Sequence, residues 1–208
     1  MTSDVLDRTA ILSQIEAILA TQEQISEYVH KRLCAKCEEL SDESWEVKRK
    51  EAFKFVRGLI DKYTFSKKLP RDGTGIMAQS IISYLLDIQH TFLRVLVRID
   101  MLQEETFNEI FMNSMTTISA RVNEMMTTLK LMVHHRAGDA TIESEETLES
   151  IIKLERLIDE DNIIICRQIS VATGGDSDFA CYMMRKIVAD LEHISDYIKE
   201  CAEIVAEI

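Results

Sequence analysis

Apolar positions recur at helical spacing along almost the whole chain, and turn-forming residues interrupt them only at wide intervals. Between Thr74 and Asp100, the residues Ile81, Leu85, Ile88, Phe92, Val95 and Ile99 form a seam spaced by alternating fours and threes. That spacing belongs to a helix that buries one face in a bundle. Breaks at Pro70-Arg71-Asp72-Gly73, Gly138-Asp139 and Gly174-Gly175-Asp176-Ser177 mark where helices should stop. The pattern therefore predicts six long helices, over residues 4–40, 41–65, 74–100, 104–136, 141–172 and 178–208. Ser41 caps the second, with Leu40 and Trp45 as its hydrophobic staple and Gly58 carried inside at modest cost. Thr141 is the expected N-cap of the fifth. Long helices with short connections predict an all-α antiparallel bundle.

The third-helix seam has a counterpart about half a chain length later. Ile187, Leu191, Ile194, Ile198, Cys201 and Val205 repeat its spacing in the sixth helix, and the break before each helix falls at a matching place. A duplicated three-helix unit accounts for both coincidences. The expected organisation is two tandem three-helix antiparallel bundles, residues 1–102 and 103–208, packed as one elongated helical domain.

Composition agrees with this fold. The 208 residues are 46% hydrophobic, enough to bury a core, and a single Pro with six Gly suits helices. A net charge of −12 and a pI near 4.9 argue against nucleic acid and against an anionic membrane surface, and favour cations or a basic partner. Met1 to Asp7 lacks the basic-then-apolar order of a secretion signal. Apolar runs such as Ile163 to Cys166 fall far short of the ~20 residues that span a bilayer, so no membrane insertion is expected. The expected location is cytoplasmic, with the five cysteines reduced.

The most informative chemistry is a pair of Glu-x-x-x-Asp motifs, Glu155 with Asp159 and Glu192 with Asp196. An i,i+4 spacing stacks two carboxylates on one helical face. Both motifs stand about 17 residues, and so roughly 25 Å, from the turn between the fifth and sixth helices, which sets them level in an antiparallel hairpin. Four carboxylates at one level repel unless a cation or water intervenes. Carboxylates suit hard divalent ions or iron, and His193 nearby would extend the choice to zinc or nickel. Helical phase sets Glu192 and Asp196 off the sixth-helix seam and puts Glu155 and Asp159 beside the stripe of Ile151, Leu154, Ile158 and Ile165. A groove on the surface is therefore expected, in place of ligands projecting into a ferritin-like core. The bland alternative is a solvated acidic face.

The segments Leu154-Glu155-Arg156-Leu157-Ile158-Asp159 and Leu191-Glu192-His193-Ile194-Ser195-Asp196-Tyr197 resemble the paired signatures of PhoU-like proteins. Leu69-Pro70-Arg71-Asp72 and Leu86-Asp87-Ile88 are similar to motifs of the branch that accompanies Pit-type phosphate transporters. The resemblance implies two three-helix bundles related by a repeat, with metal ions at paired acidic motifs. It also implies a non-catalytic, cytosolic regulator whose partner is a phosphate transporter or its signalling protein. Apart from the resemblance, exposed bundle faces leave pairing as a homodimer open. Under the repeat, Glu155, Asp159, Glu192 and Asp196 map to Arg49, Phe53, Leu86 and His90, so only the second half keeps the acidic motifs.

Weaker constellations complete the reading. His30, Cys34 and Cys37 fall at i, i+4 and i+7 and offer at most three zinc ligands, whereas helical cysteines are usually small apolar fillers. His134-His135-Arg136 complements the helix dipole at the end of the fourth helix. Lys67, Lys68 and Arg71 make the one concentrated basic spot in the sequence. Met112, Met115, Met125, Met126 and Met132 are expected to fill core gaps. A Gly-rich phosphate loop, a Gly-x-Ser-x-Gly elbow and a His-Glu-x-x-His motif are all missing. Beside the regulator stand two rivals: a carboxylate-bridged metal enzyme or metal-handling protein, and a plain helical interaction module.

Overall fold

A computed structural model describes residues 5–35, 63–102, 109–172 and 178–208, and these are all-helical. The elements are α1 (Arg8–Cys34), a 3-10 helix (Tyr63–Lys68), α2 (Gly73–Met101), α3 (Glu109–Ala137), α4 (Thr141–Ala172) and α5 (Phe179–Glu207). The five α-helices correspond to the first, third, fourth, fifth and sixth predicted from sequence. Most of the predicted second helix, with Trp45, Arg49, Phe53 and Gly58, lies outside the described residues, as do Cys37 and the turn at 174–177. The last residues of that prediction, up to Phe65, belong to the 3-10 helix.

Three aspartates decide where helices begin. Asp7, Asp72 and Asp178 each hold extended backbone and accept a hydrogen bond from the amide three residues on, at 2.8 Å from Ala10, 3.0 Å from Gly75 and 2.8 Å from Cys181. Each carboxylate thereby satisfies an amide that the helix leaves unpaired. At α2 the turn folds back tightly, so a Cβ on Gly75 would stand 1.8 Å from the Pro70 carbonyl oxygen. α3 ends in a Schellman arrangement: the Ala140 amide bonds the His135 carbonyl and the Asp139 amide bonds that of Arg136. Asp139 takes the left-handed conformation there, with φ 59°, a position more often held by glycine. α4 accordingly begins at Thr141 itself, one residue earlier than a Thr141 cap would place it.

The helices share one core. α1 packs most extensively on α3 and α2 on α5, while α3, α4 and α5 pack against one another and α1 touches α2. Gln22 of α1 donates to the Leu85 carbonyl at 2.6 Å, and Arg32 reaches Asp100 at 3.1 Å, so α1 and α2 run parallel. All twelve seam residues, Ile81 to Ile99 in α2 and Ile187 to Val205 in α5, are fully buried. The five methionines of α3 are buried too. The two most extensive helix contacts cross the expected boundary after residue 102, so the halves are joined through the core. α2 alone among the described helices is long and apolar enough to cross a membrane, and half of that window is buried inside the molecule.

Candidate metal centre

α4 and α5 form the hairpin that carries both acidic motifs. Its register is read from Lys199, whose ammonium donates to Glu155 Oε1 at 2.7 Å across the two helices. Glu155, Asp159 and Asp196 each bring a carboxylate oxygen within 4.8 Å of the other two. Glu192 is not one of the converging three. Glu192 stays close enough for the charges of Asp196, Asp159 and Glu155 all to act on it.

Burial goes deeper than the expected surface groove at Glu155 alone. Glu155 is only 6% exposed, and Asp159, Glu192 and Asp196 are half-buried. The reason is the number of neighbours: α4 packs on both α3 and α5, and α5 packs on α2, α3 and α4. Each therefore buries a wider arc than a single apolar stripe indicates. Arg121 ties α3 to α4, donating to the Leu157 carbonyl at 2.9 Å and pairing with Asp161.

The electrostatics follow from that burial. Desolvation pushes the Asp159 carboxyl above its usual range; the charge on Glu155 adds to this and Lys199 opposes it. Desolvation likewise raises Asp196, with Asp159 and Glu155 adding and His193 and Lys199 opposing. Glu192 is raised by desolvation first and by Asp196 next. It thus feels the cluster's charge although it does not join it. The hydrogen bond from Lys199 to Glu155 raises the lysine in turn and holds it as an ammonium.

These residues fit a hard cation. Three carboxylate oxygens at this mutual spacing can all reach a single ion at the ~2.0–2.6 Å typical of magnesium or calcium. Their negative charge exceeds what a single ammonium neutralises, and at Asp159 and Asp196 this adds to the larger effect of burial in raising the carboxyls. Lys199 already occupies one lone pair of Glu155, so a metal ion at this place competes with a built-in cation. Lys199 was not singled out from sequence, although its i,i+3 spacing from Asp196 placed it on the same side of the helix.

The other candidates do not assemble in this way. His30 and Cys34 approach each other, with Sγ 3.5 Å from Nε2, and His30 Nδ1 lies 2.8 Å from the Ser119 hydroxyl. Cys37 lies outside the described residues, and no third ligand joins the pair among those described. Of the first-half counterparts, Leu86 packs on the core and His90 is exposed, so neither offers a buried carboxylate equivalent. His134 lies 3.2 Å from Glu16 of α1 at the end of α3. Compared with family profiles, curated proteins and solved structures, the chain gives no match in any of the three.

Proposed function

We propose that the protein is a non-catalytic, PhoU-like regulator of inorganic phosphate transport that responds to a divalent metal or iron ion held by the α4–α5 carboxylates. The observation that carries this reading is the convergence of Glu155, Asp159 and Asp196 from two helices onto one point. A purely solvating acidic face gains nothing from such convergence, because it raises the cost of ionising Asp159 and Asp196. The helix pairings support the duplicated architecture: first with fourth, and third with sixth, is what two related three-helix units joined through their cores would produce. The partner in this reading is a phosphate transporter or its signalling protein, and the site of action is cytosolic.

The plain interaction module remains a specific rival because of Lys199. An ammonium 2.7 Å from the buried Glu155 is a sufficient counter-ion for that one carboxylate without any metal. Metal analysis of purified wild type against Asp159→Ala and Asp196→Ala separates the two. The regulator reading expects stoichiometric metal in the wild type and its loss in both variants. Trace metal at the same level in all three sides with the module. The phosphate role is tested by phosphate uptake through a Pit-type transporter in cells with and without the protein. Uptake should change with the wild type and not with the two variants; unchanged uptake contradicts the role.

A further inference from the structure

On the α2–α5 face the chain departs from its acidic character. The two helices run antiparallel, since Arg98 donates to the Lys186 carbonyl at 3.0 Å while Cys201 Sγ reaches the Ile81 carbonyl. Towards the Met101 end they leave an open groove of about 400 Å³. Val97, Met101 and Tyr182 line it while remaining about half exposed, at 50%, 52% and 51%. Arg94, Arg98 and Lys186 line it as well. Among the described residues, Asp190 is the carboxylate that pairs with them, with Arg94 at 3.4 Å and with Arg98. Two guanidiniums share a single buried carboxylate, and Lys186 lies 5.7 Å from the Tyr182 ring centroid. Burial, with Arg94 beside it, holds Arg98 below its usual value, as expected where cations crowd. Among the described residues, the groove therefore combines an exposed apolar floor with excess positive charge on a molecule of net charge −12.

We propose that this groove docks a short acidic segment of a partner protein, which seats an aromatic or large aliphatic side chain on Val97, Met101 and Tyr182 and sets carboxylates against Arg94 and Lys186. The opening suits one or two side chains. An anionic membrane is a poorer occupant, because the rest of the acidic molecule is repelled from it. A second copy placed face to face would oppose the same three cations, since a two-fold interface sets each patch against itself. Docking here is separate from metal binding, because the groove lies on the α2 side of α5 and the carboxylates on its α4 side.

The test is fluorescence anisotropy with a labelled peptide, Asp-Glu-Phe-Asp-Glu-Leu-Glu, on the full chain, with and without chelator. Controls are the same peptide with its Phe and Leu replaced by Ala, and vesicles of phosphatidylglycerol. Saturable binding at ~50 mM salt is expected, weakened at least about tenfold by Arg94→Glu with Lys186→Glu, and weakened by raising salt to ~300 mM. Val97→Asp and the alanine peptide should also bind less, chelator should change nothing, and circular dichroism should show each variant folded. Absent binding, equal affinity in the charge-reversed variant, or equal affinity for the alanine peptide would overturn the proposal. So would stronger attachment to the vesicles, or a concentration-dependent dimer in sedimentation that the charge reversal abolishes.

Discussion

Lys199 is the residue on which the carboxylate cluster turns. It neutralises Glu155, which is almost fully buried, while keeping some contact with water itself (8% and 28% side-chain exposure). Lys199→Ala removes one partner of the pair, and the expected loss is about 1–3 kcal/mol in denaturant unfolding, less than for a fully buried pair because solvent screens the lysine. The same substitution should strengthen divalent metal binding, since the competing ammonium is gone. Asp196→Asn should act in the opposite sense on both counts. It relieves repulsion from Asp159 and Glu155, so metal-free stability rises by about 1 kcal/mol or less, while the stabilisation given by added metal disappears. The carboxylates were legible in sequence because i,i+4 spacing stacks them by geometry alone. Lys199 was not, because in Tyr197-Ile198-Lys199-Glu200 it reads as part of a solvated face. Only the register of α5 on α4 brings it to Glu155.

Among elements, the start of α2 is the most constrained. Gly75→Ala sets a Cβ against the Pro70 backbone oxygen, so either the turn or the helix must move; a loss of about 2–4 kcal/mol is expected, read as a shifted denaturant midpoint with an unchanged slope. Asp72→Ala removes the cap and should cost about 1 kcal/mol. An intact midpoint in Gly75→Ala would contradict the tight approach. Proline and glycine made the breaks readable, but the three capping aspartates were not singled out, and the first helix was expected from residue 4 where Asp7 caps it at Arg8. The seams of α2 and α5 were readable for a related reason, since a bundle face imposes its spacing on sequence. The breadth of the buried arc on α4 was not readable. One apolar stripe records one neighbour, whereas α4 packs on two, and this is how Glu155 comes to lie inside.

At the scale of the molecule, the partly buried acidic cluster works against folding. Asp159, Glu192 and Asp196 all have raised carboxyls, so between the ordinary carboxylate range and their own values the native state holds protons that the unfolded chain has released. Their contribution to stability is therefore present at low pH and lost as pH rises through the raised values. Asp178 has the opposite sign, since the Cys181 amide lowers it: its contribution is present above the ordinary range and lost as pH falls through the depressed value. The difference in unfolding free energy between wild type and Asp196→Asn, followed from pH 4 to 8 on the order of half a unit at a time, should grow more unfavourable to the wild type as pH rises. Saturating divalent metal should remove that trend, because the cation takes over the neutralising role of the protons. The most direct test is calorimetric titration of a divalent ion into metal-free wild type, Lys199→Ala and Asp159→Ala. The account predicts a single binding event in the wild type, tighter binding in Lys199→Ala and none in Asp159→Ala. Absence of binding in both wild type and Lys199→Ala, or binding that survives in Asp159→Ala, would contradict it.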